Sequence, residues 1–150
     1  MARKILMVLG VTQVLLGCVL GLIPPSAVQH FRSLITAHIE FCMNGMLLAL
    51  IGLLYDHMTL GPFLAVLLDT TAIVGTFTNG GAFVLATFTG ASTILSPLIN
   101  SSHPPPLGTD GYWSHVITNS LVVCAIATIL SLIISIIGLL RHDKEKEKKH

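Results

Sequence analysis

Five polar residues lie in stretches that are otherwise apolar: His38, Glu40, Asn44, Asp69 and Asn79. Groups of this kind are expensive at membrane depth and mark cavities, partners or reaction sites. His38 has two readings. It is an interfacial histidine bonded to a neighbour, or its neutral imidazole is a ligand to a metal or cofactor, as imidazole is to haem iron. On a helix, His38, Phe41, Cys42 and Gly45 share one face, while Glu40 and Asn44 share another. Asn44 follows His38 by six residues, about 120° round the axis. One helix therefore does not close both onto a small ligand, whereas a large planar ligand or a site shared between subunits uses both. Glu40 is a supporting acid that is paired or protonated. Asp69 is a second, with no Lys or Arg at its depth to neutralise it. Asn79 either glues helices together or lines a pocket. The outer set His103, Tyr112 and His115, with His30 and His57, reads as inert surface.

The elements that carry these residues follow from charge and hydropathy. Charged residues are 10% of the 150, against about 25% in soluble domains, and the mean hydropathy is +0.83. Eight of the fifteen charges fall in the last ten positions, leaving seven for the whole chain before Arg141. That is too few to solvate a soluble surface, and it excludes a nucleic-acid binder and a secreted disulfide scaffold. Four apolar stretches, at about 5–23, 34–54, 60–88 and 116–140, each suffice for the roughly 20 residues of a spanning helix. The expected fold is an all-α, four-transmembrane-helix bundle in the lipid bilayer, followed by a charged tail at 141–150.

The first stretch ends at Pro24-Pro25 with no small-residue cleavage site, so it reads as a retained helix. The third is longer than a bilayer requires, and it either tilts or breaks at Gly80-Gly81. Arg3, Lys4 and the basic tail place both termini in the cytoplasm. The sequon Asn100-Ser101-Ser102 and the dilysine-like Lys146 and Lys148 fit an endoplasmic-reticulum protein if the chain is eukaryotic. Cys18, Cys42 and Cys124 have no metal-binding spacing and read as packing residues. No nucleotide, zinc or nucleophile-elbow motif occurs.

The run Ala37-His38-x5-Asn44-Gly45-Met46, with Asn79 thirty-five residues beyond Asn44, resembles small four-helix membrane isomerases. These are the styrene oxide isomerases and the hydroxylaminobenzene mutases. Gly75-Thr76-Phe77-Thr78-Asn79 and the threonine-rich stretch after it are closer to the mutase branch. The resemblance covers roughly residues 38–97. It implies a homotrimer that holds haem b between subunits, with His38 as axial ligand and Asn44 beside cofactor and substrate. Small residues such as Gly45 and Gly52 would allow the close approach between protomers. Ferric iron would act as a Lewis acid without net redox change, and Asn79 would line the pocket. Phe77 and Phe83 would supply its apolar walls for a small aromatic substrate. The epoxide branch uses an acid and a tyrosine that fall here on Gly75 and Phe83, neither of which can exchange a proton. An aromatic hydroxylamine is therefore favoured over an epoxide. Two other readings stay open: a non-enzymatic structural or assembly tetraspan, and a small transporter using Glu40 and Asp69.

Overall fold

The computed structural model describes residues 2–94 and 111–147. Their long elements are helices: α1 (Ala2–Leu20), α2 (Phe31–Leu54), α3 (Pro62–Thr89) and α4 (Tyr112–Glu147), with single 3-10 turns at Pro25–Ala27 and Tyr55–His57. All four helices are long and apolar enough to cross a membrane. The chain is an all-α four-helix bundle that fits a multi-pass membrane protein.

Local chemistry sets the helix ends. His30 precedes α2, and its Nδ1 accepts from the Ser33 backbone N–H, satisfying one of the unpaired donors of a helix start. Pro62 opens α3, where a missing N–H costs nothing. Gly90 closes α3 in the left-handed region (φ 67°) and donates to the Ala86 carbonyl at 3.0 Å. A break at Gly80-Gly81 does not form, and α3 runs unbroken. The Phe41 ring fills the space over Gly80, where a Cβ would lie 2.6 Å from it. Gly80 thus serves packing and not a kink. α4 begins four residues before the expected start, so Tyr112, Trp113 and His115 lie in its first turns. The Tyr112 and Trp113 rings meet edge to face at 5.2 Å. At the other end the helical backbone continues through 141–147, so most of the charged tail extends α4. His103, the sequon at Asn100 and Lys148 lie outside the described residues.

The helices pack chiefly in chain order: α1 on α2, α2 on α3, α3 on α4. Glycines set the first of these contacts. A Cβ at Gly10 would come within 2.6 Å of the Gly45 carbonyl, and one at Gly45 would come equally near the Gly10 carbonyl. At Gly52 the neighbour is the Arg3 carbonyl at 3.1 Å. Gly45 and Gly52 therefore let α1 approach α2 within one chain, instead of serving contacts between subunits. Small residues are the usual means of such approach in membranes, where lipid tails remove the hydrophobic drive between helices.

Two apolar clusters sit at opposite ends of the bundle. One gathers Leu6, Leu48, Ile51, Met58, Leu68, Ala72 and Ile134. The other holds Ala82, Ala86 and Ile117. Near the first, Arg3 pairs with Asp56, and the His57 and His142 rings lie 6.2 Å apart. The start of α1, the α2–α3 link and the end of the α4 span thus share one end, as an even number of spans requires. Along α3, Thr76 and Asn79 fall between the two clusters.

Candidate active site

The polar residues divide between two sides of α2. On the α1 side, His38 Nδ1 lies 2.7 Å from the Gly17 carbonyl. A carbonyl only accepts, so Nδ1 carries the proton and the lone pair of the neutral ring resides on Nε2. Gly17 O also accepts from the Gly21 N–H at 3.1 Å, so the last turn of α1 anchors the imidazole. Glycine is needed on both sides of that anchor. A Cβ at Gly17 would meet Cys42 Sγ at 2.6 Å, and one at Gly21 would meet the His38 ring at 3.0 Å. His38 lines an open cleft of about 370 Å³ together with Cys18, Gly21, Leu22, Phe31 and Ile35, among others.

On the α3 side, Glu40 joins two amides. Asn44 Nδ2 donates to Glu40 Oε2 at 3.3 Å from one turn along the same helix. Asn79 Nδ2 donates to the same oxygen at 2.5 Å from α3. All three side chains are half-buried. Glu40 lies about 14 Å from the start of α2, and Asn79 about 15 Å from the end of α3, at roughly 1.5 Å per residue. Both distances are to the same end of the bundle, where His30 N–H bonds to the Thr87 carbonyl, and they are enough to set the cluster inside a hydrocarbon layer about 30 Å thick. An ionised carboxylate there is costly unless hydrogen bonds compensate it, and the two amides supply that compensation.

The structure thus joins Glu40, Asn44 and Asn79 and sets His38 apart from them. The exposed apolar stripe Ile35, Ile39, Met43, Met46 and Leu50 runs between the two groups. His38 and Glu40 stand about 100° to either side of Ile39. Within one chain, Asn44 is a partner of Glu40 and does not share the cleft of His38.

Asp69 stands elsewhere. It precedes Asn79 by ten residues, about 15 Å along α3, on the side of the 3-10 turn Tyr55–His57 that follows α2. Its Oδ1 is buried without a hydrogen-bond partner. Phe77 is also displaced from its expected role: it packs against the cluster around Leu48 and Leu68. Phe83 is half-buried on α3, beyond Asn79. The aromatic ring between α2 and α3 at this level is that of Phe41, over Gly80. At Gly75 a Cβ would lie 2.5 Å from Thr128 Oγ1 and 2.9 Å from its backbone nitrogen. α4 therefore occupies the space a larger residue at 75 would need.

Sequence reasoning passed over Gln13. It is fully buried on α1, and its Nε2 donates to Thr76 Oγ1 at 3.2 Å, one turn before Asn79. Its Oε1 has no hydrogen-bond partner. The signal was available, since a glutamine amide at the middle of an apolar span is a cost that needs a reason.

Known proteins resemble this chain in sequence. The model of the styrene oxide isomerase family matches residues 2–140. Hydroxylaminobenzene mutase HabB of Ectopseudomonas oleovorans is 30% identical over 131 residues, covering 85% of this chain and 79% of that protein. No solved structure matches. A match over nearly the whole helical bundle decides against a structural tetraspan and against a transporter. The chain belongs to the styrene oxide isomerase family, and it is an isomerase.

Proposed function

We propose that this protein is a membrane-embedded mutase-type isomerase that rearranges a small aromatic hydroxylamine, with haem b held by His38 and no net redox change. The observation that carries this reading is the His38–Gly17 hydrogen bond. Metal-ligating histidines typically donate their second ring N–H to a carbonyl or carboxylate, which fixes the tautomer and the ring plane. Here Nδ1 is engaged and Nε2 keeps its lone pair, in a ring that lines an apolar cleft. His38 would therefore fit as the residue that holds the haem iron. When bound, ferric haem would supply a Lewis acid for the substrate oxygen.

The rest of the chemistry falls to the chain. Asn44 and Asn79 each retain an amide oxygen and a second N–H, with which they orient the substrate's polar end. Phe83, half-buried on α3 beyond Asn79, offers apolar surface to the ring. A site sunk about 15 Å from the nearer helix ends, and roughly 21–26 Å from the others, excludes bulk water, which keeps a departing oxygen from being exchanged with solvent. Orientation then directs oxygen from nitrogen to the ring carbon. An epoxide is the less favoured substrate, because the acid and tyrosine of that branch are replaced by Gly75 and Phe83.

Because His38 and the amides flank the exposed stripe of α2, a homo-oligomer brings them together. A flat macrocycle would then lie between neighbouring copies, against the cleft of one and the amides of the next. Arg3, Lys4 and the basic tail support a cytoplasmic position for both termini.

The test is product identity. Haem-loaded protein in detergent, given hydroxylaminobenzene without oxidant or reductant, is expected to yield aminophenol stoichiometrically. Reduction to aniline, oxidation to nitrosobenzene or no conversion would contradict the reading.

A further inference from the structure

Moving oxygen from nitrogen to the ring leaves one task that no Lewis acid performs. The ring carbon that receives oxygen must lose its hydrogen as a proton, and the nitrogen must gain one. A group near the ring has to hold that proton in between. Asparagine amides do not titrate in this range, and His38 is committed through Nδ1 to Gly17. At depth, α2 and α3 carry two carboxyl groups, Glu40 and Asp69. Asp69 lies about 15 Å along α3 from Asn79, too far to reach a ring held by the amides. Glu40 is bonded directly to both amides.

The geometry of that cluster is specific. The two amides come from different helices and both bond to Oε2. The carboxylate is thereby fixed in position while Oε1 remains for another donor. A carboxylate has about four lone-pair sites, so two amide bonds leave capacity to accept.

We propose that Glu40 is a catalytic residue of the rearrangement. As the N–O bond breaks and the C–O bond forms, the ring carbon briefly carries both oxygen and hydrogen. Glu40 Oε1 takes that hydrogen as a proton, and the C–H electron pair restores the aromatic ring and flows toward nitrogen. The protonated Glu40 then returns the proton to nitrogen, which completes the aminophenol and regenerates the carboxylate. No co-reactant enters and no electron is gained or lost. Asn44 and Asn79 hold the carboxylate during both transfers. This assignment rests on the reading of the chain as a mutase-type isomerase.

The experiment compares haem-loaded wild type, Glu40→Gln and Glu40→Asp with hydroxylaminobenzene and its ring-deuterated form. Glu40→Gln preserves shape and the two amide contacts. Its kcat is expected to fall ~100-fold, the usual scale for a lost proton carrier, with KM within about threefold. The isotope effect on kcat should rise above that of wild type, because ring deprotonation becomes slow. Glu40→Asp should recover part of the rate. An activity-independent readout accompanies it: the infrared difference spectrum on adding aniline, an unreactive N–H donor. Wild type should show a shifted carboxylate stretch that Glu40→Gln lacks. Wild-type kcat in Glu40→Gln, a rate loss without a change in isotope effect, or an unmoved carboxylate band would overturn the proposal. Failure of the wild type to make aminophenol would instead overturn the mutase reading, and this proposal with it.

Discussion

Replacing His38 by glycine is expected to abolish turnover, by ~1,000-fold or more, while the bundle remains folded. A Lewis acid that polarises the breaking bond supplies several kcal/mol of barrier lowering, and every ~1.4 kcal/mol is tenfold in rate. The loss should be of the cofactor, not of the fold. His38 is half-buried at the edge of the cleft, and its removal breaks the Nδ1 bond to a carbonyl that keeps the Gly21 N–H and a long contact with Cys42 Sγ. Added imidazole should restore part of the rate by filling the vacated space. The check is kcat of His38→Gly with and without imidazole, beside its melting temperature. Activity untouched by the substitution would remove His38 from the site.

Asn79→Leu is expected to lower kcat ~100-fold through a different route, with haem retained. Asn79 is the α3 half of the clamp on Glu40, and its amide bond at 2.5 Å is the shorter of the two. Leucine matches the amide in size but cannot donate, so it leaves the carboxylate with Asn44 alone. Losing a hydrogen bond to a charged group costs roughly 1.5–3 kcal/mol. Part of that should appear as a lower melting temperature. Asn44→Leu should cost less stability, because its bond is longer and lies within one helix turn. Measuring kcat, haem content and melting temperature for the pair separates clamp from ligand. If either asparagine held the cofactor within its own chain, that variant would lose haem as well.

The class of protein was legible because charge and hydropathy are additive properties of a chain. Seven charges before Arg141 dictate a bilayer whatever the tertiary contacts. The offset of His38 from Asn44 was legible too, because it depends only on helix pitch. What the chain order does not contain is register between helices. Glu40 and Asn79 are 39 residues apart and meet where Gly80 accepts the Phe41 ring between α2 and α3. The same blindness assigned Gly45 and Gly52 to contacts between subunits, when their neighbours are Gly10 and Arg3 of the same chain. It also drew Phe77 toward the pocket. The residue shares a local run with Asn79, but helix geometry turns it into the core cluster. Gln13 was missed for the converse reason, since no motif surrounds it and its partner Thr76 lies two helices away.

The central claim is that His38 presents Nε2 to haem iron. It is tested most directly by the absorption spectrum of the full-length protein purified from haem-supplied membranes. Wild type is predicted to show a Soret band whose intensity corresponds to stoichiometric haem, and His38→Ala to lose it. A colourless wild type, or an unchanged band in His38→Ala, would contradict the claim.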